Sequence, residues 1–487
     1  MKRVVLSGVA WVGGTMFLVR SVRYVALLVL GGLLAPSEFG LFAALYVVID
    51  GLALLQGFGI GHALVYNRGR DDETADTAFF LAIGLAVGLA VVAFIGAPAI
   101  SALYDEPRIV APFRAALLIL IAQALRLVPF RLFEKTLEFK RKLIPSLAGS
   151  IGYVVVALVL AYRGAGVWAL VMGEASSVGA EALAYWIISP WRPRLRFDPG
   201  KARSLLSFGW AVLGGGVLVF AFRSIDRLTL SKVVGTTELG LYAFAYAIAG
   251  LPVTLLVRVL NTVLYPAYTS LESDRARQGE LYFRACSYMA AAGILYALGL
   301  LAFGRPFLAA LYADKWAAAV VPLSVLGALA LFRSQGSLLS DLLVGTGHPA
   351  YFRLLNLLQV LLAASFAVFA AARWGAVGVA VTMAGSAAVG TVVGWVLAAR
   401  VLASGWRPFA RAFRGPVGAG AVTLWPALHV SYAAGRAGGI WPVLLGALVT
   451  AALFGGVWLL IDRELRKDLV QWFRNVGFGR RGVGGGV

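Results

Sequence analysis

The chain has 487 residues, 60% of them hydrophobic and only 14% charged, with a formal net charge of +20. Soluble globular domains carry about 45–50% apolar residues, glycine included, and about 25% charged ones, and this chain passes the first figure before its 57 glycines are counted. A soluble enzyme, a disordered protein and a disulfide-stapled secreted domain are excluded, which leaves an all-α polytopic membrane protein.

Each crossing of a hydrocarbon core takes about 20 apolar residues. In chain order, apolar runs predict fourteen spans near 8–34, 39–64, 76–100, 110–130, 143–162, 166–188, 205–231, 238–264, 284–304, 318–340, 351–371, 376–399, 415–432 and 440–461. The first run continues well past a signal-peptide core and has no small-residue cleavage site, so it reads as an uncleaved helix. With a cytoplasmic N-terminus, the predicted outside loops hold only Arg108, Arg163, Lys232, Arg305, Lys315, Arg373 and Arg436, and the longest, Arg305–Ala317, is too short for a catalytic domain. The inside segments and tail hold roughly four times as many basic residues, which orients both termini to the cytoplasm. The basic residues are interrupted throughout by apolar runs, so the positive charge points to anionic membrane lipids rather than nucleic acid. The single Cys286 cannot form an internal disulfide.

An internal duplication is visible. Glu38-Phe-Gly-Leu-Phe-Ala-Ala-Leu-Tyr46 matches Glu238-Leu-Gly-Leu-Tyr-Ala-Phe-Ala-Tyr246 at an offset of 200, and Arg20-Ser-Val matches Arg223-Ser-Ile. Ala102-Leu-Tyr104 answers Ala310-Leu-Tyr312, and Gly164-Ala165 answers Gly375-Ala376. The copies begin at spans one and seven, so both halves share one orientation, as in transporters whose lobes rock about a central site. The expected domains are an N-lobe 1–190, a cytoplasmic linker 191–203, a C-lobe 204–400, an extra helix pair 401–462 and a basic tail 463–487.

The segment Leu33-Leu-Ala-Pro-Ser-Glu-Phe-Gly-Leu-Phe42 resembles the start of Wzx-type polysaccharide flippases, in the multidrug/oligosaccharidyl-lipid/polysaccharide exporter superfamily. The second half repeats it with Asp226-Arg-Leu-Thr-Leu-Ser-Lys-Val-Val-Gly235, Glu238-Leu-Gly-Leu-Tyr242, Leu251-Pro252 and Tyr265-Pro266-Ala267. The resemblance implies two six-helix bundles forming a V that opens to each side in turn, and transfer of an undecaprenyl-pyrophosphate-linked sugar between leaflets of the bacterial inner membrane. Contact with polysaccharide assembly machinery is a further expectation of that kind.

Eight arginines fall inside predicted spans: Arg20, Arg23, Arg114, Arg126, Arg223, Arg227, Arg258 and Arg333. Five acids accompany them: Asp50, Glu174, Glu181, Asp226 and Asp341. An arginine at the bilayer centre costs roughly 2.5–3.5 kcal/mol on insertion scales, so such groups face a bundle interior or a wet cavity. Arg20 and Arg23 share one face of span one, and Arg223 and Arg227 share one face of the equivalent span seven. These four, with Arg258 from span eight, are the candidate substrate-binding set, since the guanidinium fork matches phosphate oxygens. The alternative is that they pair with Asp226, Asp50 or helix carbonyls and only fix packing. Arg114 and Arg126 read as snorkelling to the interfaces. Glu174 and Glu181, seven apart on span six, are candidates with Asp226 for Na+ or H+ coupling, or else partners of the arginines. No cofactor or metal motif is present.

Three functions are weighed: a lipid-linked oligosaccharide flippase, a multidrug cation antiporter of the same superfamily, and a membrane-embedded polysaccharide polymerase or ligase. The excess of arginine over acid in the spans, and the short outside loops, favour the first.

Overall fold

The computed structural model describes residues 2–57, 59–66, 72–135, 141–271, 274–462 and Arg466. Arg68, Arg70, Lys140 and, Arg466 apart, the basic tail 463–487 lie outside the described residues, as does the Arg258 side chain. Among the described residues the fold is all helix, in fifteen α-helices joined by short turns. They are α1 (Lys2–Leu33), α2 (Pro36–Gly57), α3 (Ile60–Tyr66), α4 (Asp72–Tyr104), α5 (Val110–Ala116), α6 (Leu118–Lys135), α7 (Leu143–Tyr162) and α8 (Val167–Ile188). Then follow α9 (Pro199–Val233), α10 (Thr236–Ser270), α11 (Arg275–Tyr312), α12 (Val320–Gly345), α13 (Pro349–Val401), α14 (Arg407–Ala437) and α15 (Ile440–Ile461). Helices α2 with α3, and α5 with α6, make up the second and fourth predicted spans, and α13 contains the eleventh and twelfth on either side of a break at Gly375. The fourteen predicted spans therefore all correspond to helix.

Two loop expectations are corrected. Residues 305–312 are helical, as the last turns of α11, with Pro306 inside the helix. The thirteenth span, predicted over 415–432, is a 31-residue helix that starts with Pro408 in its first turn and carries Pro416 and Pro426 inside. Among the described residues, eight helices are long and apolar enough to cross a membrane, including α4, α7, α11 and α15.

The chain divides into two compact units, Met1–Ala247 with Arg353–Ser386 and Ile248–Phe352 with Ala387–Val487. In the first, α8 packs along α7 and against α6, α1 packs on α7, and α9 contacts α2, α3 and α4. Small residues allow this close approach: Ala78, Ala82, Ala86, Ala90, Ala93 and Ala97 form one buried stripe along α4, the spacing that lets helices approach closely. The other face of α4 presents Val92 and Ile95, each at least 70% exposed, as a lipid-facing surface does. In the second unit α11 packs on α12, α14 and α15. Leu298, Ala302 and Phe303 of α11 bury against Ala427, Ala434 and Val443 of the extra helix pair, and the Ser431 hydroxyl donates to the Ala302 carbonyl at 2.5 Å.

The duplication is visible in backbone geometry. Gly166 (φ 58°, ψ −131°) opens α8, and Gly375 (φ 56°, ψ −139°) opens the second half of α13. In both places a carboxylate from the first turn of a distant helix caps the new one. Glu38 accepts from the Val167 N–H at 2.6 Å, and Glu238 accepts from the Ala376 N–H at 3.2 Å. Gly166, not Gly164, is therefore the structural equivalent of Gly375; the sequence match is two residues out because α7 ends in an extra turn, with Gly164 also at positive φ. The α4 and α11 ends match as well: Asp105 and Ala313 both take φ near 50° before a short 3-10 turn.

The linker is strapped to the start of α4. The Arg194 N–H donates to Asp76 at 3.2 Å, the Asp198 N–H to the Thr77 hydroxyl at 3.2 Å, and Lys201 pairs with Glu73 at 2.6 Å. Asp198 then caps α9 by accepting from the N–H groups of Gly200 and Lys201.

Candidate functional site

Arg20, Arg23, Asp50, Arg126, Glu174, Glu181, Arg223, Asp226 and Arg227 of the first unit lie on α1, α2, α6, α8 and α9. Arg23 of α1 reaches Glu174 of α8 at 3.4 Å and donates to the Ser177 hydroxyl one turn further on. Its guanidinium also lies 4.9 Å from the centre of the Tyr153 ring of α7. Arg126 of α6 donates to Glu181 at 2.7 Å. Glu174 and Glu181 are two turns apart on one face of α8, about 10 Å along its axis, so the two ion pairs form a short charged ladder. The side chains of Arg23 and Arg126 are 37% and 28% exposed, so both guanidiniums remain within reach of a ligand.

The repeat-equivalent arginines sit differently. Arg227 lies 5.5 Å from the centre of the Tyr246 ring on α10. The adjacent Asp226 is fully buried, and its carboxylate accepts from the Tyr242 hydroxyl at 2.7 Å and from the Arg227 backbone N–H at 2.8 Å. Asp226 is thus committed to holding α9 against α10. Asp50 of α2 links the two groups, lying within electrostatic range of Arg227, Arg223 and Glu174. Tyr46, one turn earlier on α2, feels Glu174, Asp50, Arg23 and Arg126 together. Arg20 is half-buried and Arg223 exposed.

Two sequence expectations change. Arg126, read as snorkelling, is an ion-pair partner of Glu181, because α6 packs against α8. Arg114 donates to the Phe94 carbonyl at 3.3 Å. The excess positive field expected of the first and seventh spans is largely matched: Arg20, Arg23, Arg126, Arg223 and Arg227 stand against Asp50, Glu174, Glu181 and Asp226 in one unit. Tyr153 and Ser177 carry no signal of their own in the sequence, and Tyr46 and Tyr246 stand out there only as repeat partners; a tyrosine or serine on the face opposite a buried arginine is the signal that would find all four. In the second unit Arg333 and Asp341 are both half-buried on α12, and the free Cys286 is buried.

Arginines held by carboxylates, ring faces and hydroxyls on neighbouring helices form a site that can exchange its anionic partners. A phosphate oxygen accepts the same forked donors as a glutamate.

A family model described as polysaccharide biosynthesis protein matches residues 29–321, more than half of the chain. The chain is 25% identical over 309 residues to the succinoglycan biosynthesis transport protein ExoT of Rhizobium meliloti (strain 1021), covering 63% of this chain and 62%, less than two thirds, of that protein. It is 23% identical over 459 residues to the lipopolysaccharide biosynthesis protein WzxC of Escherichia coli (strain K12), covering 89% of this chain and 88% of that one. Among solved structures, the lipid II flippase MurJ in an inward closed conformation aligns with a TM-score of 0.74 at 13% identity, over 93% of this chain and 100% of that chain. An inward-facing multidrug resistance transporter of the MATE family aligns with a TM-score of 0.64 at 18% identity, over 78% of this chain and 94% of that chain. At such identities the structural likeness speaks for the fold.

Proposed function

This chain belongs to the polysaccharide biosynthesis protein family, and from that premise we propose that it is a flippase for an undecaprenyl-pyrophosphate-linked oligosaccharide. It carries its substrate from the inner to the outer leaflet of the bacterial cytoplasmic membrane, with both termini cytoplasmic. The two repeats, in lobes 1–190 and 204–400, open the site to each side in turn. The names of the relatives support this reading: one is a succinoglycan biosynthesis transport protein and another a lipopolysaccharide biosynthesis protein.

The observation that carries the proposal is the ladder of Arg23–Glu174 and Arg126–Glu181 along α8. Four or five arginines inside membrane helices would be costly to insert without partners, and the carboxylates lower that cost in the empty protein. An incoming pyrophosphate offers the arginines more oxygens and more charge than a glutamate, so it displaces Glu174 and Glu181. Each released carboxylate then takes up a proton or Na+, which couples substrate binding to an ion. Arg20, Arg223 and Arg227 complete the phosphate cradle, while Asp226 acts through Tyr242. The polyprenyl tail stays in lipid throughout. A cation exporter of the same superfamily requires carboxylates free to meet a cation, whereas both carboxylates of α8 here already face guanidiniums.

The test is transfer of a lipid-linked oligosaccharide across vesicles reconstituted with the purified chain. Wild type should translocate it, and Arg23→Ala and Arg227→Ala should lose translocation while inserting normally. Arg23→Lys should recover part of the rate, since lysine keeps the charge and loses the fork. Normal translocation by both alanine variants would remove the arginines from the site, and transport of organic cations instead of the glycan would overturn the function.

A further inference from the structure

At the end of the second unit where α14 begins and α15 finishes, a cavity of about 490 Å³ opens between α11, α14 and α15. That volume lies within the range of about 300–1,000 Å³ typical of small-ligand sites. Its polar wall carries Arg284 of α11, Arg411 and Arg414 of α14, and Asp462 just past α15; Tyr288 and Ile461 supply apolar wall. Arg284 is already engaged, with Glu280 one turn away at 3.0 Å. Arg411 and Arg414, three residues apart, share one face of α14. Among the described residues, neither is joined to a carboxylate.

Three further facts give the cavity a preference. α14 has no acid in its first turn and no side-chain cap, so the positive end of the helix dipole adds to the arginines instead of being offset. The Trp458 indole Nε1 in the cavity wall is buried without a hydrogen-bond partner among the described residues. It is held tightly there: a Cβ on Gly415 would fall 3.0 Å from Nε1. Beside the cavity the apolar surface continues outward, with Leu460 73% and Tyr288 42% exposed.

We propose that this cavity binds the phosphodiester headgroup of an anionic phospholipid in the leaflet that faces the basic loops. Arg411 and Arg414 donate to the phosphate oxygens, and the acyl chains lie along the exposed apolar surface of α15. Among the described lining residues, three guanidiniums against Glu280 and Asp462 leave one net positive charge, which suits the single negative charge of a phosphodiester better than the multiple charge of a pyrophosphate. The extra helix pair thereby carries a lipid site of its own, separate from the arginines of the first unit, and its failure would leave the flippase reading untouched.

The experiment is native mass spectrometry of the purified full-length chain in detergent with added phosphatidylglycerol, phosphatidylethanolamine or inorganic phosphate. Wild type should retain phosphatidylglycerol, bind phosphatidylethanolamine weakly, and keep its lipid in excess phosphate. The Arg411→Ala/Arg414→Ala variant should lose roughly tenfold or more in apparent affinity, the scale of one charge-assisted hydrogen bond. Arg411→Lys/Arg414→Lys, which preserves charge and folding, should lose part of it, and Arg436→Ala at the other end of α14 none. Equal retention by wild type and the alanine or lysine variants overturns the site. Displacement by inorganic phosphate overturns the lipid assignment in favour of a soluble anion, and equal binding of phosphatidylethanolamine overturns the charge argument.

Discussion

Gly40 of α2 and Gly240 of α10 meet reciprocally. A Cβ on Gly40 would lie 1.6 Å from the Thr236 carbonyl oxygen, a Cβ on Gly240 would lie 1.8 Å from the Pro36 carbonyl oxygen, and each would stand 2.9 Å from the other glycine's nitrogen. Gly40 and Gly240 are partners at the repeat offset of 200, as are Pro36 and Thr236. The starts of α2 and α10 therefore present the same patch to each other, the self-complementary arrangement found about a two-fold axis. Phe39 adds an edge contact to Phe244 at 5.4 Å.

Alanine at either glycine must push two helix backbones apart, because the obstructing atom is a carbonyl oxygen and not a flexible side chain. Gly40→Ala and Gly240→Ala should each destabilise the protein by about 1–3 kcal/mol or more, the scale of overpacking. Gly84→Ala, which meets nothing within 4 Å, should be nearly neutral. Thermal unfolding in detergent measures all three, and a neutral Gly40→Ala would refute the close contact.

The paired carboxylate caps predict parallel losses. Glu38→Ala and Glu238→Ala each strand the first N–H groups of a helix, at a cost of about 0.5–2 kcal/mol. Glu38 should be the more sensitive, since it also faces Arg108 at 3.8 Å. Hydrogen exchange at Val167 and Ala376 should rise in the respective variants; unchanged protection would show that the caps are idle.

Beside that cap, Arg108 hydrogen-bonds both carboxylate oxygens of Glu106, at 2.9 and 3.0 Å, and this holds the Glu106 carboxyl below its ordinary 4.5. A lowered carboxyl favours the folded state above its ordinary value and gives that contribution up as pH falls through the lowered one. The unfolding temperature of wild type should therefore fall more steeply below about pH 4.5 than that of Glu106→Gln. Identical pH profiles would show that the pair is too exposed to matter.

How much of this was legible in the sequence depends on range. The runs 143–162 and 440–461 coincide with α7 and α15, because an apolar run bounded by charge or glycine fixes its own ends. The Glu38 and Glu238 match marked the duplication but not its chemistry, since a cap on a helix 129 residues away leaves no local trace. Pairing was the least legible. Glu174 and Glu181 advertised one face of α8 and a place beside arginines, yet nothing in the order of residues said that these would be Arg23 and Arg126, on two other helices. Asp226 beside Arg227 suggested an ion pair, whereas the helix turns the carboxylate toward Tyr242.

Orientation yields a test independent of any substitution in the site. Reporter fusions at Pro199 and Gly279 should read cytoplasmic, and fusions at Pro36, Pro107 and Gly435 external. The contact of the linker with the start of α4 requires residues 72–77 and 194–201 to lie on one side of the membrane. A cytoplasmic Pro107 with an external Pro199 would invert the whole map, and opposite readings at Pro199 and Asp72 would break the fold.

The last test separates packing from function at Arg126 and Glu181. Their side chains are 28% and 19% exposed, so each is partly desolvated and each leaves a partner stranded when removed. Arg126→Ala should be destabilising because Glu181 is left without its 2.7 Å donor, and Glu181→Ala should be destabilising for the converse reason. The double alanine variant should recover part of the loss, with a coupling energy of about 0.5–3 kcal/mol. Packing alone then predicts that the double variant translocates glycan as well as it folds. If Arg126 also meets the pyrophosphate, the double variant should fold yet translocate poorly, while Glu181→Gln, which keeps the guanidinium and removes the competing charge, should bind substrate more tightly and release it more slowly. Recovery of both stability and translocation in the double variant would assign the pair to packing and leave the phosphate role to Arg23 and its neighbours on α1 and α9.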